Sequence, residues 1–532
     1  MSEPRQVGTS VVVVGGGPVG LALAAVLGHA GIPAVLVERG REPSAIPKGQ
    51  NLTARSLEHF YFWGCADQLR AARLLPPGFP IGGITAYESL ASRYWYAPPG
   101  RETVGDFYFQ RAERLPQYLT ESVLRHRVAA LDSVAGLFGW SAADVCLEDG
   151  GVRVTAVADS GEAREIRAAY VVGCEGAHSL VREKAAITRS GADLGQRMVL
   201  AVFRAADLGR GLERFPARTT YRVLHPELRG YWRFFGRVDP ARTWFFHAPV
   251  PADATTATLD MPALVGQAAG FPVGCEFGYV GLWNMRVDIA DTFQRGRAFV
   301  AGDAAHSIPP YGAHGLNSGL EDAVNLGWKL TAVLRGWAPP RLLDSYTAER
   351  RPVMVETAQA ITGAIERDRA FLERYSPQRD RSEFERAWGG LTTGEIAPTS
   401  YEPHYEGSPI VRGPAGSACG ARGQHTFEAR AGHHLSPAPL SSGRNVFEEL
   451  GRGYTLIALT QDLAPVAAFR AAAQAMRMPL HAIVDTFDGA RTAYGCRYIL
   501  VRPDQHVAWA GHQPPADPVE LLRLTTAAAS GR

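Results

Sequence analysis

The chain has 532 residues, enough for about three domains of ~150 residues each. Hydrophobic residues make up 46% of the sequence and charged residues 20%, as in globular proteins, and 55 basic against 53 acidic side chains leave a net charge of +2. This balance argues against nucleic-acid or anionic-membrane partners. No apolar stretch reaches the ~20 residues of a membrane span. The six cysteines are scattered without a C-x-x-C pair, so no metal site or redox dithiol is predicted, and the cytoplasm is the expected compartment.

The chain begins with a predicted strand, a glycine-rich turn and a helix. The apolar run Val11–Val14 is followed by Gly15-Gly16-Gly17-Pro18-Val19-Gly20 and then by apolar, helix-forming residues. In a G-x-G-x-x-G turn the first glycine permits a tight turn, the second lets the backbone approach a pyrophosphate, and the third lets helix pack on strand. Glu38 closes the next apolar run at a spacing of about 20 residues that suits a ribose hydroxyl. The pattern predicts a doubly wound parallel sheet that binds a dinucleotide; the alternative is a glycine-rich turn without a ligand.

The middle of the chain changes character. Residues 166–173 read as a later strand of the same sheet, and Cys174-Glu175-Gly176-Ala177-His178-Ser179 then leads into a short helix. Between residues 185 and 281, the runs TTYRVL, YWRFFGRV and TWFFHAPV are aromatic and β-branched and are separated by turns. This pattern is typical of an antiparallel sheet, so we expect a second, inserted domain.

The parallel fold resumes near Gly296. The apolar run Ala298–Ala301 ends in Gly-Asp and opens into a loop with Pro309, Pro310, Gly312 and Gly315, and a helical pattern begins near Asn317. A strand, a loop of small residues and a helix leave backbone N–H groups free at the helix start. This arrangement suits a flat polar ligand.

Helical patterns cover residues 317–337 and 342–367, residues 389–414 read as a linker, and a small α/β unit follows. We expect a discontinuous first domain over 1–184 and 282–365, and a sheet domain over 185–281 with parts of 77–110. A helical and linker segment is expected over 366–419 and a C-terminal domain over 420–532. No internal repeats are evident.

Three motifs in this order resemble the single-component (class A) FAD-dependent aromatic hydroxylases, the para-hydroxybenzoate and phenol hydroxylase group. They are GGGPVG at 15–20, GCEGAHSLVR at 173–182 and GDAAHSIPPYGAHGLN at 302–317, and DSYTAERRP at 344–352 extends the resemblance. Residues 420–532, best at LVRPDQHVAWAG, resemble the thioredoxin-like C-terminal domain of the larger members. The implied fold is α/β (α+β overall): a Rossmann-like FAD-binding domain, an inserted antiparallel-sheet substrate domain, and a thioredoxin-like domain that lacks C-x-x-C and has a structural or subunit-contact role.

The resemblance also implies an FAD site. The three motif glycines would hold the pyrophosphate, Glu38 the adenosine ribose, and the backbone at 315–317 the flavin ring. Lys48 stands where the family has an arginine, which keeps the charge without the bidentate fork. Glu175 stands where the family has an aspartate, so the choice between NADPH and NADH as electron donor is left open. The implied cofactor residues are Gly15, Gly17, Pro18, Val19, Gly20, Glu38, Arg39, Lys48, Arg55, Gln117, Gly302, Asp303, Pro310, Gly312, Gly315, Leu316 and Asn317.

The implied reaction is hydroxylation of a phenolic ring by a flavin C4a-hydroperoxide, with NAD(P)H and O2 consumed. Pro310 would lie near the reacting oxygen, with loop stiffness as its alternative role, and His314 would face flavin or substrate unless it is a solvent-facing loop histidine. His306 and His178 are expected to pack rather than react. The ring pocket should be lined by one face of the antiparallel sheet, and no catalytic base stands out. The substrate candidates are Tyr221, Arg222, Trp232, Phe234 and Phe245, with His225 and Arg233 as further polar candidates.

Other functions on the same scaffold are weighed against this one. A flavin-dependent halogenase would carry W-x-W-x-I-P and a lysine near the first glycine loop, and both are absent. An FAD-dependent reductase or dehydrogenase without oxygen insertion remains the alternative, and a flavin-binding module without catalysis is disfavoured by the intact motifs. The substrate is either a polycyclic polyketide-type phenol or a small single-ring phenol. A homodimer is the family habit.

Overall fold

The computed structural model describes residues 5–391 and 398–528, so residues 392–397 of the predicted linker lie outside the described residues. The glycine-rich turn belongs to a six-stranded sheet. In spatial order its strands are Gln294–Arg295, Ala298–Val300, Tyr170–Gly173, Val11–Val14, Ala34–Glu38 and Val134–Phe138. All neighbouring strands run parallel except the first pair. The central strands are uniformly apolar because both faces of the sheet are covered.

Helices cover one face of the six-stranded sheet, and a second sheet covers the other. Helix Pro18–His29 begins with proline at its first turn, where no N–H is needed, and packs against Gln117–Ala129 and His314–Leu334. On the opposite face, Val152, Val154 and Ile166 share one core with the apolar strands. They belong to a four-stranded sheet of Arg5–Gly8, Ala163–Ala168, Gly151–Ala158 and Trp140–Glu148. The predicted Rossmann-like α/β fold is confirmed, but a sheet stands where a doubly wound fold has its second layer of helices, and this sheet was not anticipated.

The aromatic middle of the chain forms an eight-stranded sheet. Its strands are His306–Ser307, Glu276–Ala290, Arg189–Arg204, Thr243–Val250, Trp232–Arg237, Thr220–Leu224, Gly83–Tyr87 and Trp95–Tyr96. The pairing is antiparallel except between Thr220–Leu224 and Gly83–Tyr87. Residue 281, where we expected the inserted domain to end, lies inside the strand Glu276–Ala290, which continues toward the six-stranded sheet. The predicted antiparallel character of this region is confirmed.

Two long helices follow the loop that contains Pro309, Pro310 and Gly312. They span His314–Leu334 and Asp344–Arg374, where the sequence predicted helices over 317–337 and 342–367. Short helices and turns complete the framework, at Ala54–Phe62, Ala66–Ala71, Leu180–Lys184, Ala206–Gly211, Met261–Ala269, Arg381–Gly390 and Val446–Glu449. Two small ladders pair Asn51–Leu52 with Glu113–Arg114 and Tyr401–His404 with Gly420–Arg422. None of the helices in the described ranges combines the length and hydropathy needed to cross a bilayer.

The C-terminal residues form a separate four-stranded sheet. Strand Tyr454–Leu459, helix Ala464–Ala475 and strand Leu480–Asp485 make a parallel β-α-β unit. Strands Tyr498–Val501 and Val507–Gly511 then add in antiparallel fashion, and helix Pro518–Thr525 closes the layer. All six cysteines of the chain are free thiols.

Buried charges join the C-terminal sheet to the two long helices. Arg502 donates to both carboxylate oxygens of Glu349 at 2.6 and 2.9 Å and to Asp504 at 2.6 and 3.0 Å. Lys329 completes the group, with Nζ 2.7 Å from Glu349. We call Lys329, Glu349, Arg502 and Asp504 the C-terminal charge cluster. Burial alone would raise the pKa of Glu349, but Arg502 and Lys329 outweigh it and lower that pKa to about 2.

Candidate active site

One cavity connects the glycine-rich turn to the eight-stranded sheet. Its volume is about 2240 Å³, against roughly 300–1,000 Å³ for a typical small-molecule pocket. At one end the wall is formed by Gly15, Gly17 and Glu38, and at the other by Trp232, Phe234 and Phe245. The loop 310–317 lies between these ends, and Tyr311 of that loop packs its ring 4.5 Å from Trp232. The cavity therefore has room for a large cofactor and a second ligand side by side.

The glycine-rich turn has the geometry that its sequence predicts. Gly15 has φ +102°, and a Cβ on it would lie 2.4 Å from the Cys174 carbonyl oxygen, so no other residue fits there. A Cβ on Gly20 would lie 1.8 Å from the Gly15 carbonyl oxygen, since the helix packs directly on the turn. By contrast, a Cβ on Gly17 would meet no protein atom within 4 Å, and this glycine lines the cavity. The backbone of Gly17 can therefore come close to a ligand, as the binding of a pyrophosphate requires.

Several predicted cofactor residues lie together at this end of the cavity. Glu38 accepts hydrogen bonds from the Gly16 and Gly40 amides, each at 2.6 Å, which fixes its carboxylate beside the turn. Gln117 accepts from the Gly49 amide at 3.0 Å and so orients the segment that carries Lys48. The other predicted residues on this wall are Pro18, Val19, Arg39, Lys48 and Asp303, whereas Gly20 and Gly302 lie behind it. Gly302 instead donates its amide to Asp322 at 3.0 Å.

The side chain of Asn317 holds the loop 310–317 in place. Its Oδ1 accepts from the Thr53 amide at 2.9 Å and from Ser56 Oγ at 2.7 Å. Its Nδ2 donates to the Asn51 and Ala313 carbonyl oxygens at 2.9 and 2.7 Å. The side chain is thus fully used within the protein. Backbone groups of the loop remain on the cavity wall, together with Pro310, Gly312, His314, Gly315 and Leu316.

His314, in the loop 310–317, and His306, which precedes this loop, are both buried. His314 packs against the Tyr401 ring at 4.2 Å, and burial, with Arg101 nearby, lowers its pKa to about 3. It therefore stays neutral at pH 7 on the cavity wall and is not solvent-facing. His306 lies under the loop, with Nε2 2.6 Å from Asp322 Oδ2.

Glu175 accepts from Ser179 Oγ and the Val181 amide at 2.6 and 3.0 Å, so its longer side chain caps the helix Leu180–Lys184.

Arg55 lies on the cavity wall, but its guanidinium faces the protein. It bonds Glu321 through Nε and one terminal nitrogen, Glu58 and Gln505 through the other, and the Asp504 carbonyl oxygen. These five bonds use all five N–H donors of the side chain. The structure shows that Arg55 joins helix Ala54–Phe62 to the C-terminal sheet, and the cofactor-binding role that the resemblance implies for it stays a prediction.

Side chains alternate between two faces of the eight-stranded sheet. Arg222, Trp232, Phe234 and Phe245 point into the cavity, as predicted. Tyr221 does not, and its inclusion was wrong: it is adjacent to Arg222 in one strand, so it faces the opposite core with Phe235 and Phe246. Of the further polar candidates, Arg233 also points away, with its guanidinium 3.3 Å from Gln267, and His225 caps the turn at Glu227. Neither lines the cavity.

His247 and Trp283 are among the residues of the cavity face that were not predicted from the sequence. His247 lies two residues after Phe245 on the same strand, so the alternation that pointed to Phe245 also pointed to it. The buried Nδ1 of His247 has no hydrogen-bond partner among the described residues, and neither do the indole nitrogens of Trp232 and Trp283. Arg222 differs, because it bonds Asp368, Thr85 and Tyr96 at 3.2, 3.2 and 3.3 Å.

A group of metal-ligand type lies at the end of the strand Tyr401–His404. One ligand atom from each of His404, Glu406 and His433 lies within 4.8 Å of the others, where the sequence predicted no metal site. Two of these side chains are hydrogen-bonded to each other. His433 bridges Glu406 and Glu402 through its two ring nitrogens at 2.7 and 2.9 Å.

Comparisons with known proteins agree with this geometry. An FAD binding domain family matches residues 8–360, and an aromatic-ring hydroxylase C-terminal family matches residues 428–530. A 4-methyl-5-nitrocatechol 5-monooxygenase from Burkholderia sp is 31% identical, with 98% of this chain and 97% of that protein covered. A putative polyketide hydroxylase from Streptomyces halstedii is 30% identical, with 98% and 97% covered.

Solved structures show the same arrangement over nearly the whole chain. The rebeccamycin biosynthetic enzyme RebC, soaked with chromopyrrolic acid and holding 7-carboxy-K252c, has a TM-score of 0.86 at 27% identity, with 99% of this chain and 100% of that chain covered. The flavin-dependent monooxygenase PieE, in complex with FAD and substrate, has a TM-score of 0.84 at 25% identity, with 99% of each chain covered. The protein therefore belongs to the FAD-dependent aromatic-ring hydroxylases, and it is an FAD-dependent monooxygenase.

Proposed function

We propose that this monooxygenase hydroxylates a phenolic ring, with NADPH or NADH as electron donor and O2 as oxidant. The observation that carries the proposal is the single cavity, which runs from the glycine-rich turn to an aromatic sheet face. Bound FAD supplies the redox chemistry and the activation of oxygen. The protein holds the cofactor, positions the ring and excludes water.

Residues along the cavity have distinct proposed roles. Gly15, Gly17 and Glu38 would bind the adenosine diphosphate part of FAD. The backbone at Gly315, Leu316 and Asn317 would hold the flavin ring, since N–H groups at a helix start favour developing negative charge. Pro310 and His314 would border the reacting centre, and Trp232, Phe234 and Phe245 would form the apolar walls around the substrate ring.

The size of the cavity favours a polycyclic substrate. About 2240 Å³ is more than twice the upper size of an ordinary pocket, so space remains beyond a bound cofactor. Relatives include an enzyme named for a single-ring nitrocatechol and one named as a tetracycline-type monooxygenase, from Streptomyces rimosus. We propose a polyketide-type phenol as the substrate and a single-ring phenol as the alternative.

Further proposals concern the C-terminal domain, the oligomeric state and the cellular location of the protein. The β-α-β unit followed by β-β-α in the C-terminal sheet supports a thioredoxin-like domain, and a role in structure or subunit contact follows because it has no C-x-x-C pair. A homodimer and a cytoplasmic location are proposed with it. Size-exclusion chromatography with light scattering tests the dimer.

The activity is tested with purified, yellow holoenzyme. We expect a phenol to accelerate NADPH or NADH consumption together with O2 consumption, and to give a product heavier by one oxygen atom. A single-ring phenol and a hydroxyanthraquinone, each assayed with both nucleotides, rank the two substrate classes and the two donors. Oxidation of NAD(P)H without a product that carries oxygen from O2 would instead identify a reductase or dehydrogenase.

A further inference from the structure

A polar residue stands at the centre of the apolar substrate face. One row of cross-strand neighbours on this face runs Gly281, Leu200, His247, Phe234, Arg222 and Thr85. His247 is flanked in the row by Leu200 on one side and Phe234 on the other. The side chains of these two row neighbours offer it no hydrogen bond.

The orientation of the imidazole is set by its aromatic neighbours. The Phe245 ring lies 5.6 Å away with an interplanar angle of 79°, and the Trp283 ring lies 5.9 Å away at 86°. The histidine ring thus lies between two aromatic rings and makes an edge-to-face contact with each. A side chain fixed in this way loses little conformational entropy when it binds a ligand.

One ring nitrogen of His247 is unsatisfied. Its Nδ1 is buried and has no hydrogen-bond partner among the residues that the structure describes, which is unfavourable for a polar atom. Burial lowers the pKa of His247 to about 4, so the ring is neutral at pH 7 and has one donor and one acceptor nitrogen. Arg222, the cation of the row, is already paired with Asp368.

We propose that His247 binds the hydroxyl group of the aromatic substrate and thereby sets which ring carbon faces the flavin. This inference rests on the proposed function, and it adds a specificity-determining residue to the sheet. A neutral imidazole accepts the phenolic O–H, which increases electron density on the ortho and para carbons. An aromatic ring without the hydroxyl cannot form this hydrogen bond, so His247 does not favour one orientation of that ring.

The test compares rings with and without the hydroxyl. Holoenzyme is titrated with 1-naphthol and naphthalene, and with 2-hydroxyanthraquinone and anthraquinone, while the flavin absorbance is followed. In the His247→Leu variant we expect the dissociation constants of the two hydroxylated rings to rise about 10-fold, because one hydrogen bond is lost. Those of the two hydrocarbon or quinone partners should stay within about twofold.

Further variants separate binding from folding. His247→Gln keeps a donor and an acceptor and should retain part of the preference for the hydroxylated rings. His481→Leu, an exposed histidine on the C-terminal sheet outside the cavity, should behave as the unsubstituted protein. FAD content, read from the visible absorbance, should be unchanged in all three variants.

The outcomes distinguish the inference from the function on which it rests. Equal weakening of both members of each ring pair by His247→Leu would overturn the inference while leaving the hydroxylase in place. A lower yield of hydroxylated product per NAD(P)H consumed, together with the selective loss of affinity, would support it. Holoenzyme that binds none of the four rings would overturn the proposed substrate class, and the inference with it.

Discussion

The Arg502→Met variant is expected to lose about 3–5 kcal/mol of unfolding free energy at pH 7–8, the usual cost of breaking a buried ion pair. Arg502 is 2% exposed and holds Glu349 through two parallel bonds. Methionine fills much of the volume but leaves the carboxylates of Glu349 and Asp504 without their main counter-charge. The midpoint of urea unfolding, followed by tryptophan fluorescence, measures the loss.

Arg41→Met is the matched control for this variant. Its pair with Asp159 is 3.0 Å long, but the side chains are 73% and 57% exposed, so the expected change is below about 1 kcal/mol. A loss at Arg502 as small as that at Arg41 would show that the C-terminal charge cluster does not hold the C-terminal sheet in place.

Acid gives an independent readout of the same cluster. The folded-state pKa of Glu349, about 2, lies below its ordinary value, so its contribution to stability is present above about pH 4.3 and is lost as the pH falls toward 2. In Arg502→Met the carboxylate takes up a proton more readily. The difference between variant and unsubstituted protein should therefore shrink as the pH is lowered from about 4.3 toward 2. A difference that is constant over this range would argue for lost packing instead of lost charge pairing.

Alanine at Gly17 is expected to weaken FAD binding at least about 10-fold without unfolding the chain. The Cβ meets no protein atom, so the fold tolerates it, but it occupies space on the cavity wall that the cofactor backbone needs. FAD affinity is measured by titrating apoprotein and following flavin fluorescence. Circular dichroism reports the fold.

Two further glycine variants bracket this result. Gly15→Ala combines a left-handed backbone with a Cβ 2.4 Å from a carbonyl oxygen, so we expect loss of FAD binding together with lower stability. Gly8→Ala, where a Cβ also meets nothing within 4 Å and which lies outside the cavity, should change neither. Normal FAD affinity in Gly17→Ala would remove the glycine-rich turn from the proposed cofactor site.

Local sequence patterns were sufficient for most of the fold. Uninterrupted apolar runs such as Val11–Val14 mark strands buried on both faces, and the glycine spacing specifies the turn that follows. The four-stranded sheet that includes Gly151–Ala158 was missed, because its alternating pattern does not say which surface it covers. Three of its strands pair through short local connections, but Arg5–Gly8 pairs with the distant strand Ala163–Ala168, and only tertiary packing determines that pairing.

The site was less predictable on the substrate side. Tyr221 and Arg222 cannot both face one cavity, yet an aromatic strand alone does not reveal which face is turned inward. Arg55 illustrates a different limit. A motif indicated its position on the cavity wall, but its partners Asp504 and Gln505 lie about 450 residues away in sequence. The direction of a guanidinium depends on such distant carboxylates and carbonyls.

The two faces of the eight-stranded sheet are independent of each other. One face carries the packed core with Tyr221, Phe235 and Phe246, and the other carries the row through His247. A partly exposed residue of this row such as His247 can therefore change without disturbing the core on the other face, whereas Arg222 is held by a buried pair with Asp368. Evolution, or a combinatorial library restricted to the partly exposed cavity-facing positions, can thus explore new substrates at little cost in stability, while the flavin site stays untouched.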